Sequence, residues 1–247
     1  MSTLMGMAMR GQRVAVIGVG GIGEPSAEIC AQLGADMVLA DRQPPDQIAR
    51  RLQDGYGVMA TACQIDVGCT DSIRKFCAGA GQLDALVITA ALLPQERELE
   101  PGSAAWDQSF ELAFKVNVAG PMLLAQILSR DMVARRSGRI VILGSLAGRS
   151  GGLLSGAQYA SGKGALHTLV RWLALRTAAH GVSVNAVAPG ATATPMIANE
   201  VVNIEKIPAG RLAEPVEVAR VVAFLASPAA SYMHGAVVDV NGGACFS

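Results

Sequence analysis

The chain predicts an α/β fold class: one domain built on a doubly wound, mostly parallel sheet of about seven strands. Three observations carry this. Short runs rich in β-branched residues alternate with longer segments whose apolar residues recur at i, i+3 and i+4. The short runs are apolar almost throughout, as strands covered by helices on both faces are. No repeat, low-complexity stretch or linker divides the 247 residues, so 1–247 reads as a single domain.

In order, the predicted strands are Arg13 to Ile17, Met37 to Ala40, Val58 to Ile65, Ala85 to Ile88, Arg139 to Leu143, Ser183 to Val187 and Val237 to Val240. Helical spacing covers Ala27 to Leu33, Asp107 to Arg135, Tyr159 to Ala179 and Pro215 to Ala226. Met1 to Met9 has neither a leading basic region nor an adequate apolar segment, so residues 1–10 read as a loose N-terminal tail and not a signal peptide. Sheets of this kind bind ligands at the carboxyl ends of their strands, which makes the residues just after each strand the candidates for chemistry.

Composition excludes several classes. Twenty basic and twenty acidic side chains, with no long block of either sign, leave no electrostatic footprint for nucleic acid or anionic lipid. Hydrophobic residues make up 51% of the chain, yet every apolar run is interrupted before the roughly 18 residues of a membrane span, so a cytoplasmic protein is expected. The five cysteines form no C-x-x-C pair and are odd in number, which suits reduced thiols. His167, His180 and His234 lack ligand spacing, and no metal is expected.

The first strand runs into Gly18-Val19-Gly20-Gly21-Ile22-Gly23, which opens a helix. Glycines permit the tight turn and a close approach of backbone to a pyrophosphate, which the helix N-terminus favours. Asp41, at the end of the second strand, is placed to accept hydrogen bonds from an adenosine ribose and to repel a 2′-phosphate. NAD is therefore expected over NADP; Arg42 leaves room for NADP, and a solvated loop carboxylate is the bland alternative for Asp41. Asp66-Val67 follows the third strand, where it can flank an adenine or simply cap a turn.

Tyr159 and Lys163 stand four apart at the start of a helical segment, on one face. A free phenol has a pKa of about 10 and is roughly 0.1% ionised near pH 7, so it is a poor base unless tuned. Lowering that pKa by about three units takes roughly 4 kcal/mol, which an ammonium about 4 Å away supplies at an effective dielectric of about 20. Ser145, beyond Gly144 at the end of the fifth strand, can hold a substrate oxygen beside Tyr159. Separately, a Y-x-x-x-K pair is usually a surface pair and such a serine an ordinary turn residue; their company gives them weight.

The glycine loop, Asp66-Val67, Lys115-Val116-Asn117-Val118, Gly144-Ser145, Tyr159-Ala160-Ser161-Gly162-Lys163, Val184-Asn185-Ala186-Val187-Ala188-Pro189-Gly190 and Val240-Asn241-Gly242-Gly243 together resemble the short-chain dehydrogenase/reductase family over nearly the whole chain. The resemblance implies a Rossmann-type fold, a catalytic tetrad of Asn117, Ser145, Tyr159 and Lys163, and a homotetramer or homodimer. It implies that Lys163 also binds the nicotinamide ribose, that Ala90 lies near that ribose, and that Pro189, Gly190, Thr192 and Thr194 meet the carboxamide end of the cofactor. It further implies that the Asn117 carbonyl holds a water relaying protons to the lysine. Pro121, lacking an N–H, would leave that carbonyl free, although a kink required only for packing is an equal reading. The sequence departs from the family in a glycine loop one residue shorter and without its threonine, in Ile88-Thr89-Ala90-Ala91 where N-N-A-G is usual, in a Ser145 to Tyr159 interval one residue longer, and in Asn241 for an aspartate.

The expected activity is NAD(H)-dependent interconversion of a secondary alcohol and a ketone, with Tyr159 moving the proton. Leu92, Leu93, Leu153, Leu154 and Met196 point to an apolar substrate, or else pack the loops or a subunit interface. The alternative from another class is a non-catalytic NAD-binding regulatory or scaffold protein. An epimerase or dehydratase with transiently used NAD is disfavoured by the short C-terminal part.

Overall fold

The computed structural model describes residues 6–94, 99–152 and 155–246. Leu153 and Leu154 lie outside the described residues. Seven strands form one parallel sheet in the order β3-β2-β1-β4-β5-β6-β7. They are β1 Arg13–Ile17, β2 Asp36–Asp41, β3 Ala60–Gln64, β4 Ala85–Ile88, β5 Gly138–Leu143, β6 Val182–Pro189 and β7 Val237–Val240. The doubly wound sheet expected from the sequence is the one observed. The order reverses beside β1, so β1 and β4 flank the crevice where such sheets bind ligands.

The helices are α1 Gly23–Gln32, α2 Asp46–Tyr56, α3 Thr70–Gly79, α4 Ala104–Phe114, α5 Gly120–Arg135, α6 Ala147–Ser150, α7 Ala157–Thr177 and α8 Pro215–Ala226. Alternate side chains of each strand feed two cores. Ala15 and Ile17 of β1 face Ile73 and Phe76 of α3, Leu124 and Leu128 of α5, and Leu166 and Leu173 of α7. Val14 and Val16 face Ala27 and Cys30 of α1, Leu52 of α2, and Val218 and Val222 of α8. Helix α8 starts where the sequence places it because Pro215 occupies its first turn and the Glu217 carboxylate accepts the Glu214 N–H at 2.8 Å.

One expectation needs correction. The N-terminal tail does not extend to residue 10: Met9 is completely buried and its N–H donates to the Leu33 carbonyl at 2.8 Å. Its side chain fills the core under α1, which composition alone gives no means of foreseeing. The long helical segment expected over Asp107 to Arg135 is observed and begins three residues earlier: α4 and α5 are joined through a π-helical turn, Lys115–Ala119, into one helix of 32 residues. That helix is long and apolar enough to cross a membrane by length and composition alone. In this fold its apolar side is a core face: Leu124, Leu128 and Met132 pack into the cluster shared with α3 and α7.

Candidate active site

A cavity of about 1160 Å³ runs along the carboxyl ends of the strands. Its walls include Gly18, Gly20, Gly21, Ile22, Asp41, Arg42, Asp66, Val67, Ala90, Ser145, Tyr159, Lys163, Pro189, Gly190, Thr192 and Thr194. Of the candidate site residues, Gly23 and Asn117 stand behind this wall.

The glycine turn explains itself position by position. Gly18 has φ +89°, and a Cβ there would lie 2.5 Å from the Ala90 backbone nitrogen, so only glycine lets β1 and β4 close together at their ends. A Cβ on Gly23 would lie 1.9 Å from the Gly18 carbonyl oxygen. Gly20 is different, since a Cβ there would meet no protein atom within 4 Å. Its missing side chain leaves open cavity at the start of α1, where no side chain caps the helix. Unfilled space against uncapped helix amides fits a dinucleotide pyrophosphate.

Thr89 resolves the departure after β4. Its hydroxyl lies 3.1 Å from the Ile17 carbonyl oxygen and also contacts the Gly18 carbonyl, so one small side chain holds the turn to the sheet. We expect Thr89→Val to lower stability by about 1–2 kcal/mol, the cost of losing such a bond, and to weaken cofactor binding several-fold. Thermal melts and calorimetric titration with NADH check this; unchanged affinity would show that the turn keeps its shape without the hydroxyl.

Asp41 sits between the turn and its own strand end. One carboxylate oxygen accepts the Val19 N–H at 2.7 Å and the other accepts the Arg42 N–H at 2.7 Å. The carboxylate thereby shapes the turn as well as facing the cavity. Asp66 accepts the Gly68 N–H at 2.8 Å, so it does cap a turn, and Val67 beside it is buried. Thr194 stands over the glycine turn, 3.2 Å from where a Cβ of Gly21 would be, whereas the Thr192 hydroxyl is turned to the Gly190 carbonyl at 3.1 Å.

At the centre, Tyr159 and Ser145 share the cavity wall, and the Ser145 side chain favours the ionised form of the Tyr159 phenol. Ser145 Oγ accepts the Ala147 N–H at 3.1 Å, which orients it at the end of β5. Lys163 is almost wholly buried one helical turn beyond Tyr159, with Nζ 2.8 Å from the Leu143 carbonyl and 5.5 Å from the Tyr159 ring centroid. Burial pushes the Tyr159 phenol up to about 12, against a smaller lowering by Ser145. Burial also pushes the Lys163 ammonium down to about 7. The depressed phenol expected from the sequence is thus not a property of the protein by itself: dehydration of both groups outweighs their attraction.

Asn117 is fully buried, and its side chain clasps a loop. Oδ1 accepts the Leu92 N–H at 2.8 Å and Nδ2 donates to the Leu92 carbonyl at 2.7 Å. It lies in the π-helical turn, where the Gly120 N–H reaches back to the Lys115 carbonyl. Gly120 has a packing reason too, because a Cβ there would lie 2.2 Å from the Val67 carbonyl oxygen. Leu92, Leu93 and Met196 line the cavity as expected, and Leu112, Val116, Ile197 and Val202 join them. Those four lie on a helix and a loop whose placement over the strand ends no local pattern announces. Among the described residues, no group of three His, Cys, Asp or Glu side chains could hold a metal ion.

Fold and site together define an α/β oxidoreductase of the nucleotide-binding kind. The model of the family described as enoyl-(acyl carrier protein) reductase matches residues 18–245. The chain is 37% identical over 245 residues to cis-4-hydroxycyclohexanecarboxylate dehydrogenase of Sinomonas cyclohexanicum, covering 94% of this chain and 96% of the relative. It is 36% identical to the L-tagatose-forming galactitol 2-dehydrogenase of Cereibacter sphaeroides, covering 94% of each. A solved structure from Beutenbergia cavernae holding NADP at low occupancy superimposes with a TM-score of 0.87 at 31% identity, covering 96% of this chain and 98% of that one. The chain belongs to the short-chain dehydrogenase/reductase family.

Proposed function

We propose that the protein interconverts a secondary alcohol and a ketone with NAD(H), using Tyr159 as general acid and base. Ser145 and Tyr159 together in the cavity wall, backed by buried Lys163, carry this reading. A nicotinamide dinucleotide, when bound along Gly18 to Gly23, Asp41 and Thr194, supplies or accepts the hydride. Ser145 holds the substrate oxygen, Tyr159 moves its proton, and Lys163 binds the nicotinamide ribose and favours the ionised phenol. Asn117 fixes the Leu92 wall and supports the proton path through its carbonyl.

The apolar walls from Leu92, Leu93, Leu112, Val116 and Met196 suit a carbocyclic or otherwise apolar alcohol, in keeping with the named action of the Sinomonas relative on a hydroxycyclohexane. Trp172 and Leu175 are exposed on α7, and a homodimer or homotetramer that covers them is part of the proposal. The protein is proposed to act in the cytoplasm, free of membrane and nucleic acid. A panel of cyclic alcohols with NAD tests the activity; no release of NADH with any of them, from protein that binds NADH, would favour a non-catalytic role.

NAD is the proposed partner because Asp41 presents a carboxylate at the cavity wall, where the 2′-phosphate of NADP would bring like charge. Asp41→Ser should weaken NAD and improve NADP, with Arg42 then available to the phosphate. Each change should be about tenfold to hundredfold, the worth of a charge-assisted hydrogen bond of about 1–3 kcal/mol. The ratio of kcat/KM for the two cofactors measures it; preference of the natural protein for NADP, or an unmoved ratio, removes Asp41 from cofactor choice.

A further inference from the structure

His167 lies one helical turn beyond Lys163 on α7 and is 3% exposed. Its ring is wedged against the backbone that carries the candidate catalytic serine. A Cβ on Gly144 would lie 2.4 Å from His167 Nε2, and a Cβ on Gly148 would lie 2.8 Å from His167 Cε1, so two glycines make the slot it fills. The Ser145 N–H donates to His167 Nε2 at 3.5 Å, a long bond, while the neighbouring Gly144 N–H is taken by the Val187 carbonyl. Accepting at Nε2 requires a neutral ring that carries its proton on Nδ1.

The surroundings keep the ring neutral. Burial is the main cause, and Arg149, Lys163 and Arg171 add to it against the opposing Asp239, so His167 is pushed down to about 4. Arg149 is fixed in turn, donating to Asp239 at 2.7 Å and to the Val237 carbonyl at 2.7 Å, which ties α6 to β7. The Gly144–Ser145 peptide therefore rests on a neutral acceptor locked between α6 and α7.

We propose that His167 is a positioning residue for catalysis: it seats the Ser145 backbone so that the Ser145 hydroxyl meets both Tyr159 and the substrate oxygen. This rests on the reading of Ser145 and Tyr159 as catalytic. A displacement of about 1 Å at such a centre can cost about a hundredfold in rate, while the glycine turn and Asp41, which dominate nucleotide binding in the proposed function, lie on other strands and should not respond. Burial of a histidine for packing alone would show a different pattern.

Four variants decide between these. His167→Leu keeps bulk and removes the acceptor, His167→Gln keeps an acceptor, and Ser145→Ala and Tyr159→Phe test the underlying reading. The measurements are kcat and its pH profile, NADH affinity by calorimetry, and thermal stability. The expected result is a fall in kcat of about tenfold or more for His167→Leu, with NADH affinity within about twofold of the natural protein. His167→Gln should recover most of that loss. In alcohol oxidation, where Tyr159 acts as base, the rising limb of the pH profile should move upward in His167→Leu, because a misplaced Ser145 no longer lowers the phenol. Equal losses in the Leu and Gln variants, a normal kcat in the Leu variant, or parallel losses of kcat, NADH affinity and stability would each overturn the proposal. If Ser145→Ala and Tyr159→Phe retain activity, it is the catalytic reading that fails; if they lose it and His167→Leu does not, His167 alone is misassigned.

Discussion

Tyr159→Phe is expected to lower kcat by about 10²–10⁴-fold and to leave NADH affinity within a few-fold of the natural protein. The range is that of a single general acid or base, and the substitution removes one oxygen while keeping the ring that Lys163 faces. The phenol is costly to ionise where it stands, since burial holds it near 12 in the cofactor-free protein. Ionisation must therefore be driven by positive charge that arrives with the reactants and by Lys163 once it is protonated. Steady-state kinetics in both directions, paired with calorimetric titration of NADH, measure the effect. A variant with kcat near normal would assign the proton transfer to another group.

Lys163→Met should give the opposite sign in stability and in activity. Activity should fall by about a hundredfold or more, because the ammonium that favours the ionised phenol is gone. Stability should rise at a pH below 7. The lysine has an ordinary value of 10.5 and a folded value of about 7, so the folded state binds fewer protons than the unfolded chain between those limits. A group depressed in this way gives its full stability above 10.5, loses it as pH falls toward 7, and weakens the fold by a constant amount below that. A depression of this size costs on the order of 5 kcal/mol. Methionine removes that cost and orphans the Leu143 carbonyl, which takes back about 1–3 kcal/mol. The variant should therefore melt several degrees higher than the natural protein below pH 7 and lose the advantage above 10.5. A lower melting temperature at every pH would mean that Lys163 is held by contacts worth more than its dehydration.

The parallel sheet was legible because central strands such as Val14 to Ile17 and Ala85 to Ile88 are buried on both faces and therefore apolar without alternation. Edge strand β3 was placed with its ends two residues too early and one too late, since Val58, Met59 and Ile65 continue its apolar run, and Met59 and Ile65 still bond the backbone of β2 at its two ends. Helices α2 and α3 went unread although both are amphipathic: each buries only two side chains, Ala49 with Leu52 and Ile73 with Phe76, and is otherwise largely polar. The π-helical turn is invisible to apolar periodicity, which continues through it, and only Gly120-Pro121 hints at irregularity. Within the site, the Gly18 turn, Asp41, Ser145, Tyr159 and Lys163 could be picked out because their spacing along the chain is itself the signal. Thr89 and His167 could not. Thr89 acts on Ile17 across 72 residues and His167 on Ser145 across 22, and such pairings exist only after the strands have assembled.

The cavity draws its parts from separate stretches of chain. The proposed nucleotide end comes from the turns after β1, β2 and β3, whereas the proposed proton-handling groups stand just beyond β5 and on α7. Much of the remaining wall, from Ala191 to Ile207, belongs to a connection that holds only two short 3₁₀ turns. On the proposed reading, most of the reacting parts are anchored to the rigid sheet while much of the alcohol's mould hangs from a strap. Exchanging residues 195–207 for those of a relative, with Thr192 and Thr194 kept, is expected to alter which alcohols are accepted while cofactor affinity holds.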